Sequence, residues 1–375
     1  MEKISIKQKI TFWLILISLL PILWVFFDLL TTKIFFKIEK QNIYPRIFSN
    51  IFHHTLDNNV NVVEENGRYG QTRLITNSIG FRDKVVREIS NETSNYRIIF
   101  IGGSYTEGFL GNYEESFVGI VDEKLEYYNI DVLNAGVVGY SPSIYYAKIK
   151  YFLEKKLKFD ELIVYIDLED IYVESFEDRL VLAKSYNKST RGRYNPYIGF
   201  LKKNLYVSYS ILNFISDKIK NFHRTNVYDA SKLDEFILGV ASGKTHDKDR
   251  WTIDEKMYKK NEIGIHRSLK YMKMLADLCK KNNVKLTIAV FPHLTQIYHN
   301  DLDSLQVKIW KKFSKENDAN FINHFPHFFN KDLPFEDRLK VIKKYFRPFD
   351  IHPNYESAKL VANIFLKQFI PSFNN

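Results

Sequence analysis

From Ile10 to Thr32 the chain is apolar on every helical face, through Trp13-Leu14-Ile15-Leu16-Ile17 and Ile22-Leu23-Trp24-Val25-Phe26-Phe27, with Lys9 and Lys33 at its ends. As a helix this run is roughly 34 Å long at about 1.5 Å per residue, enough to cross a hydrocarbon core of about 30 Å. Few core helices of soluble proteins are apolar all round. The run is long for a signal peptide, and no small-x-small cleavage site follows it, so residues 1–32 read as a signal anchor. Asp28 would lie near one headgroup region, and the flanking Trp and Phe suit the interface.

Beyond the anchor the pattern changes twice. Residues 33–96 carry mixed short elements and read as a juxtamembrane connector. Arg97-Ile98-Ile99-Phe100-Ile101 is then a continuous apolar run ending in glycines, the signature of a parallel strand buried on both faces. Phe117, Ile120, Val121 and Leu125 recur at helical spacing, Asp131-Val132-Leu133 gives a second strand, Tyr145 to Leu157 a second helix and Glu161 to Ile166 a third strand. Alternation lapses over about 172–254, where Tyr, Lys, Asn and Ser dominate. This insertion has helical character of its own at Leu205 to Ile219, and either caps a site or pads the surface. Alternation returns with a helix from Gly264 to Lys281, a strand from Lys285 to Phe291, a helix around Ser304 to Glu316, a short strand near Asn320 and a last helix from Tyr355 to Phe369. Residues 97–371 are therefore expected to form an α/β layered domain around a parallel sheet.

With 375 residues, 45% of them hydrophobic, the chain can bury a sizeable core. Its net charge of +10 sits largely in lysine pairs such as Lys155-Lys156 and Lys343-Lys344. The plain reading is solvated helix surface, and the sharper one is attraction to anionic glycans or headgroups. No nucleic-acid motif accompanies the charge, so nucleic acid is not an expected partner. Lysines flank the apolar run on both sides, and charge alone does not orient it. An N-terminal anchor ahead of a long C-terminal domain usually exports that domain, which places the chain in an inner membrane, single-pass, with the larger part in the periplasm or outside. The lone Cys279 excludes an internal disulfide.

The chemistry-bearing residues lie at strand ends. Ser104 follows Gly102-Gly103 at the end of the first strand, where ligands gather in open α/β sheets, and a helix opening there would aim N–H groups near its Oγ. A phosphate loop does not fit, because no Lys-Ser/Thr pair follows Gly108. The G-x-S-x-G elbow does not fit either, since Thr106 stands where its second glycine belongs. Near the C-terminus, Asp350-Ile351-His352-Pro353-Asn354 offers a base and an orienting carboxylate. His352 before proline favours extended backbone, in which residues i and i+2 share a face. Each of these features alone has an ordinary structural explanation. Together they supply the nucleophile, base and carboxylate of a serine acyl-transfer site. His293, His299, His324 and His327 lack a compact ligand spacing, so neither a metal nor a cofactor is expected.

Gly102-Gly103-Ser104-Tyr105-Thr106-Glu107-Gly108 resembles the first block of SGNH (GDSL-type) hydrolases, Asn134-Ala135-Gly136-Val137-Val138-Gly139 their second, and Asp350-x-His352-Pro353-Asn354 their last. Asn77-Ser78-Ile79-Gly80-Phe81-Arg82 is similar to the lead-in of membrane-anchored members. The resemblance covers roughly residues 75 to 370. It implies a flavodoxin-like three-layer sandwich with a central parallel sheet, with Ser104 as nucleophile, His352 as base and Asp350 as orienting acid. It further implies an oxyanion hole from the Ser104 and Gly139 N–H groups and a third-block asparagine. Here the chain departs from the family: the G-x-N-D block falls on Asp167-Leu168-Glu169-Asp170, and Glu169 stands in place of the amide donor. An ionised carboxylate repels an oxyanion, and loss of one donor costs on the order of a hundred- to a thousandfold in rate. The last block also spaces its pair as Asp-x-His where family members often have Asp-x-x-His.

The expectation is thus an anchored, exported serine esterase or O-acyltransferase acting on acyl, chiefly acetyl, esters, plausibly of a cell-surface polysaccharide. The alternative is a non-catalytic glycan-binding or assembly protein that keeps the fold. Glu169 motivates it.

Overall fold

The computed structural model describes residues 5–35, 45–66, 69–176, 180, 201, 204–225 and 229–373. Parts of the expected connector (36–44, 67–68) and of the expected insertion (177–179, 181–200, 202–203, 226–228) lie outside the described residues. The chain divides into two compact units, Met1–Ile43 with Lys188–Ala230, and Tyr44–Asn187 with Ser231–Asn375.

The smaller unit is built on the N-terminal helix Ile6–Phe35, of which Ile6–Ile34 is long and apolar enough to cross a membrane. Its one acid does not face outward. Asp28 is buried and accepts the Val207 and Ser208 N–H groups at 3.0 and 2.8 Å, capping the insertion helix Tyr206–Thr225 from a distance. Thr32 Oγ1 takes the Tyr206 N–H at 2.9 Å, and Trp24 Nε1 donates to Ser208 Oγ at 2.9 Å. The helical stretch expected at Leu205 to Ile219 therefore exists, with its first turn held by the N-terminal helix.

The larger unit begins at Tyr44 rather than at 97, because residues of the expected connector fold into it. Strands β1 (Arg46–Ser49) and β2 (His53–Leu56) form one antiparallel hairpin, and β3 (Asn61–Glu65) and β4 (Gln71–Ile75) another. Along β4 buried Thr72 and Leu74 alternate with exposed Gln71 and Arg73, as a half-covered hairpin requires. The Arg82 N–H then bonds the Asn134 carbonyl at 3.0 Å, joining this segment to the main sheet.

That sheet has five parallel strands: β5 (Arg97–Gly102), β6 (Asp131–Asn134), β7 (Glu161–Tyr165), β8 (Lys285–Val290) and β9 (Asn320–Asn323), in the spatial order β6-β5-β7-β8-β9. Numbered within the sheet this is 2-1-3-4-5, the doubly wound flavodoxin-like order, with its switch point beside the first strand. Every residue of β5 and β7 is buried, which is why both read as unbroken apolar runs. The helices that flank the sheet near the site are α1 (Ser104–Glu107), α2 (Phe117–Glu126), α3 (Pro142–Glu154), α4 (Leu168–Phe176), α5 (Glu255–Lys281) and, after the last strand, α6 (Tyr355–Phe373), while the helix Leu305–Glu316 connects β8 to β9. Helices α2 and α6 pack together on one face, where the rings of Phe117 and Phe365 lie 6.0 and 5.1 Å from that of Phe100. Helices α3, α4 and α5 pack together in another layer. Ser141 Oγ and the Ser143 N–H, at the start of α3, bond buried Glu174 of α4 at 2.6 and 2.9 Å, a cap supplied by the neighbouring helix.

Candidate active site

Ser104 stands where β5 ends, at the switch point. Gly102 is required there: a Cβ would lie 2.2 Å from Thr106 Oγ1 and 2.7 Å from the Tyr165 carbonyl, so only a bare α-carbon lets the chain turn this sharply beside β7. The following helix is a single turn, Ser104–Glu107, closed by the Gly108 and Phe109 N–H groups on the Ser104 carbonyl at 3.1 and 3.0 Å. The expected helix N-terminus therefore amounts to one turn.

His352 comes to this serine from the far end of the sequence. Its Nε2 is 3.0 Å from Ser104 Oγ and its Nδ1 is 2.6 Å from Asp350 Oδ1. The sequence suggested an extended segment presenting Asp350 and His352 on one face; the chain instead makes a tight loop. The Arg347 N–H bonds the His352 carbonyl at 2.9 Å, Phe346 and Pro353 form an antiparallel bridge, and Phe349 takes φ 56°. Within this loop Asp350 Oδ1 also accepts the His352 backbone N–H at 2.9 Å, so one oxygen fixes main chain and ring together. Asp-x-His is the spacing this turn needs. Asn354 caps α6 through the Ser357 N–H at 3.2 Å while its Nδ2 donates to the carbonyls of Lys344 and Phe346 at 2.8 and 3.2 Å.

Tyr69 supports the acid from outside, its hydroxyl lying 2.8 Å from the Pro348 carbonyl and 3.2 Å from Asp350 Oδ2. Burial by itself would raise the Asp350 pKa. Hydrogen bonds from His352, the imidazole's charge and the Tyr69 hydroxyl outweigh it and hold the carboxyl at about 2. Asp350 is thus ionised at any working pH, and it fixes the His352 tautomer with the free Nε2 lone pair toward Ser104. The arrangement can take a proton from the serine hydroxyl and return it to a leaving oxygen.

The blocks around the serine are held by groups that motif reading did not single out. Arg82, fully enclosed, donates to the carbonyls of Glu107 at 2.9 Å, Gly108 at 2.8 Å and Gly111. The lead-in motif ending in this arginine therefore fixes the chain just after Ser104. Glu107, also buried, accepts the Val138 N–H at 2.6 Å and pairs with Arg46, which pairs in turn with Glu64 of β3. Asn134 links the same parts, its Nδ2 on the Thr106 carbonyl at 2.8 Å and its Oδ1 on the Gly136 N–H at 3.0 Å. Gly139 follows on this loop with φ 75°, a left-handed backbone suited to glycine. No local sequence signal marks Tyr69, whereas Arg82 and Glu107 lie inside the quoted motifs.

The two third-block acids part company. Glu169 is half-buried in the first turn of α4, with its N–H 3.4 Å from Asp167 Oδ1, and does not line the pocket at Ser104 and His352. Asp170 is buried, its Oδ2 accepting the Tyr145 hydroxyl at 2.6 Å and the Asp167 N–H at 2.7 Å. Its Oδ1 lies 3.4 Å from where a Cβ on Gly103 would sit, so it is Asp170 that comes to the backbone before the serine. Burial, and then the charge of Asp167, pushes this carboxyl well above the usual range. Of the histidines weighed as ligands, His324 bonds the Tyr165 hydroxyl at 3.1 Å, His299 the Ala241 carbonyl at 2.9 Å, and His293 caps the short helix Leu294–Tyr298. Among the described residues no group of His, Cys, Asp and Glu is placed to hold a metal ion.

No protein-family model matches this chain, and no curated protein matches it. Among solved structures it is similar to the psychrotrophic esterase EstA of Pseudoalteromonas sp., at 10% identity and a TM-score of 0.37, over 75% of this chain and 100% of that one. It is similar to a GDSL-like lipase of Bacteroides thetaiotaomicron, at 12% identity and a TM-score of 0.37, over 76% of this chain and 92% of the other. It is also similar to a catalytic mutant of the acetylxylan esterase Axe2 of Geobacillus stearothermophilus, at 14% identity and a TM-score of 0.37, over 74% and 96% of the two chains.

Proposed function

We propose that this chain is a membrane-anchored serine esterase of the SGNH type. Ser104 Oγ attacks the carbonyl carbon of an acyl ester while His352 Nε2 takes the serine proton, and Asp350 stabilises the imidazolium. His352 then protonates the departing alcohol oxygen, and water resolves the acyl-serine by the same steps in reverse. The observation that carries this reading is the continuous relay from Ser104 Oγ through His352 to Asp350, at 3.0 and 2.6 Å. The position of Ser104 at the switch point of a 2-1-3-4-5 sheet supports it, since ligands of such sheets bind there. In this reading the oxyanion is held by the Ser104 and Gly139 N–H groups. An intact relay favours catalysis over a purely binding role. A glycan hydroxyl in place of water would make the same site an O-acyltransferase, and a domain carried outside the membrane by the anchor helix would meet acetylated surface polysaccharide.

The test is turnover of a generic acetyl ester, with labelling by a fluorophosphonate probe, in the full-length detergent-solubilised protein and in its Ser104→Ala variant. Both signals should be present in the first and absent in the second. Equal turnover in the two proteins would overturn the assignment.

A further inference from the structure

Arg347 occupies an unusual place beside this relay. The pocket at Ser104 is also lined by Phe109, Gly111, Glu115, Arg347 and His352. Arg347 reaches it because its backbone N–H closes the loop on the His352 carbonyl at 2.9 Å, which puts the two side chains on one wall. Its guanidinium stacks over Tyr69 at 5.4 Å, the tyrosine that also braces Asp350, and its NH2 would lie 3.1 Å from a Cβ on Gly111. That contact shows the fork lying against bare backbone.

What the guanidinium lacks is an anion. Among the described residues no side chain or carbonyl accepts a hydrogen bond from it, and its buried Nε has no partner. Asp350 and Glu115 are near enough for their charge to act on it, yet neither comes within ion-pair distance. Asp350 is committed to His352, and Glu115 Oε2 takes the Asn112 N–H at 3.1 Å. A half-buried guanidinium facing a pocket with open donors is matched by a carboxylate or phosphate, which its planar fork binds through two parallel hydrogen bonds.

The side of the serine matters. The oxyanion hole of the proposed reaction lies toward Gly139, while His352 must protonate the leaving oxygen, so the alcohol half of the ester lies over His352. We infer that the pocket selects esters whose alcohol portion carries an anionic group, a carboxylate or a phosphate, and that Arg347 is the residue that reads it. This inference rests on the esterase reading and deepens it. The step is unchanged: the bond from the carbonyl carbon to the alcohol oxygen breaks, the bond to Ser104 Oγ forms, and the serine proton passes through His352 to the alcohol.

The test compares three acetyl esters on the full-length protein: phenyl acetate, 3-acetoxybenzoate and 3-acetoxyphenyl phosphate. The ratio of kcat/KM for an anionic ester to that for phenyl acetate should exceed about 10 in the wild type, as a charge-assisted hydrogen bond implies. Which anionic ester shows the larger ratio distinguishes carboxylate from phosphate. Arg347→Gln should lower the ratio about tenfold, and Arg347→Lys should keep part of it. A wild-type ratio at or below one, or a ratio unchanged in Arg347→Gln, overturns the inference. Failure of the esterase reading is seen separately, as absence of Ser104-dependent turnover of all three esters. In that event calorimetric binding of 3-hydroxybenzoate and 3-hydroxyphenyl phosphate decides: about tenfold weaker binding in Arg347→Gln sustains the anion site, and equal binding ends it.

Discussion

Asp350 Oδ1 takes both N–H groups that His352 can offer it, the backbone one at 2.9 Å and the ring Nδ1 at 2.6 Å. A single carboxylate oxygen therefore sets where the imidazole stands and which nitrogen carries its proton. The same loop brings Nε2 to 3.0 Å from a serine 248 residues away.

Asp350→Asn should for this reason damage rate more than fold. The amide keeps an acceptor for the backbone N–H but loses the charge that stabilises imidazolium, and its own N–H can drive the ring into the wrong tautomer. A fall in kcat on the order of a thousand- to ten-thousandfold is expected, with KM little changed. Steady-state kinetics with an acetyl ester checks this. A loss below about tenfold would remove Asp350 from the relay. Tyr69→Phe, which removes one hydroxyl from the other oxygen, should cost only about two- to tenfold.

Arg82 acts at one remove, so its removal should show as misplacement. It satisfies the carbonyls of Glu107, Gly108 and Gly111, and Arg82→Met would leave them without that donor inside the protein. Losing a buried multi-bonded group costs about 3–5 kcal/mol, and kcat should fall at least tenfold with the chain still folded at low temperature. Arg82→Lys restores one donor at a time and should recover part of both. Thermal melts alongside kinetics read the two effects apart. Full kcat in Arg82→Met at a temperature where it is folded would deny the positioning role.

The centre of the sheet was legible because β5 and β7 are buried on both faces: Ile98 to Ile101 and Leu162 to Ile166 read as unbroken apolar runs. The turns that carry Ser104 and His352 were legible because glycines and a proline mark them. The loop geometry of Asp350 was not, since it depends on Arg347 and Phe346 pairing with His352 and Pro353, a closure no local pattern announces. Nor could the string Asp167-Leu168-Glu169-Asp170 say which carboxyl turns inward. Helix phase decides that, and it sends Asp170 toward Gly103 and leaves Glu169 half-buried. Tyr69 and Arg347 meet across 278 positions, so no window of sequence shows them together.

Lys148 gives the fold a pH dependence of defined sign. Its amine is buried against Phe52, Phe81 and Tyr140, at 5.7, 4.9 and 4.8 Å from the ring centres, and donates to the Ala135 carbonyl and Tyr140 hydroxyl at 3.1 Å each. Burial pushes it down to about 7, against the opposing pull of Glu107. In the unfolded chain a lysine keeps its proton to about 10.4. Between these values the unfolded state binds more protons, so stability should rise with pH from about 7 toward about 10, by on the order of 4 kcal/mol at about 1.4 kcal/mol per pH unit. Lys148→Met lacks this group, and the difference between wild type and variant should change by that amount over the window. Parallel pH profiles for the two proteins would mean that the amine holds its proton throughout.

Asp28 tests what joins the N-terminal helix to the helix Tyr206–Thr225. The first N–H groups of Tyr206–Thr225 have no partner within their own helix, and two of them end on Asp28 at 3.0 and 2.8 Å, with a third on Thr32. In apolar surroundings an unmet N–H is costlier than in water, because no solvent replaces the lost acceptor. Asp28→Leu should therefore cost at least about 1–2 kcal/mol at this helix start, while Asp28→Asn, which keeps one oxygen, should cost less. The measurement is amide hydrogen exchange at Val207 and Ser208 in a bilayer nanodisc. Exchange there should quicken about tenfold or more in Asp28→Leu and only modestly in Asp28→Asn, whereas amides along β5 keep their wild-type rates. Equal protection in all three proteins would mean that the two helices are joined by something other than this cap.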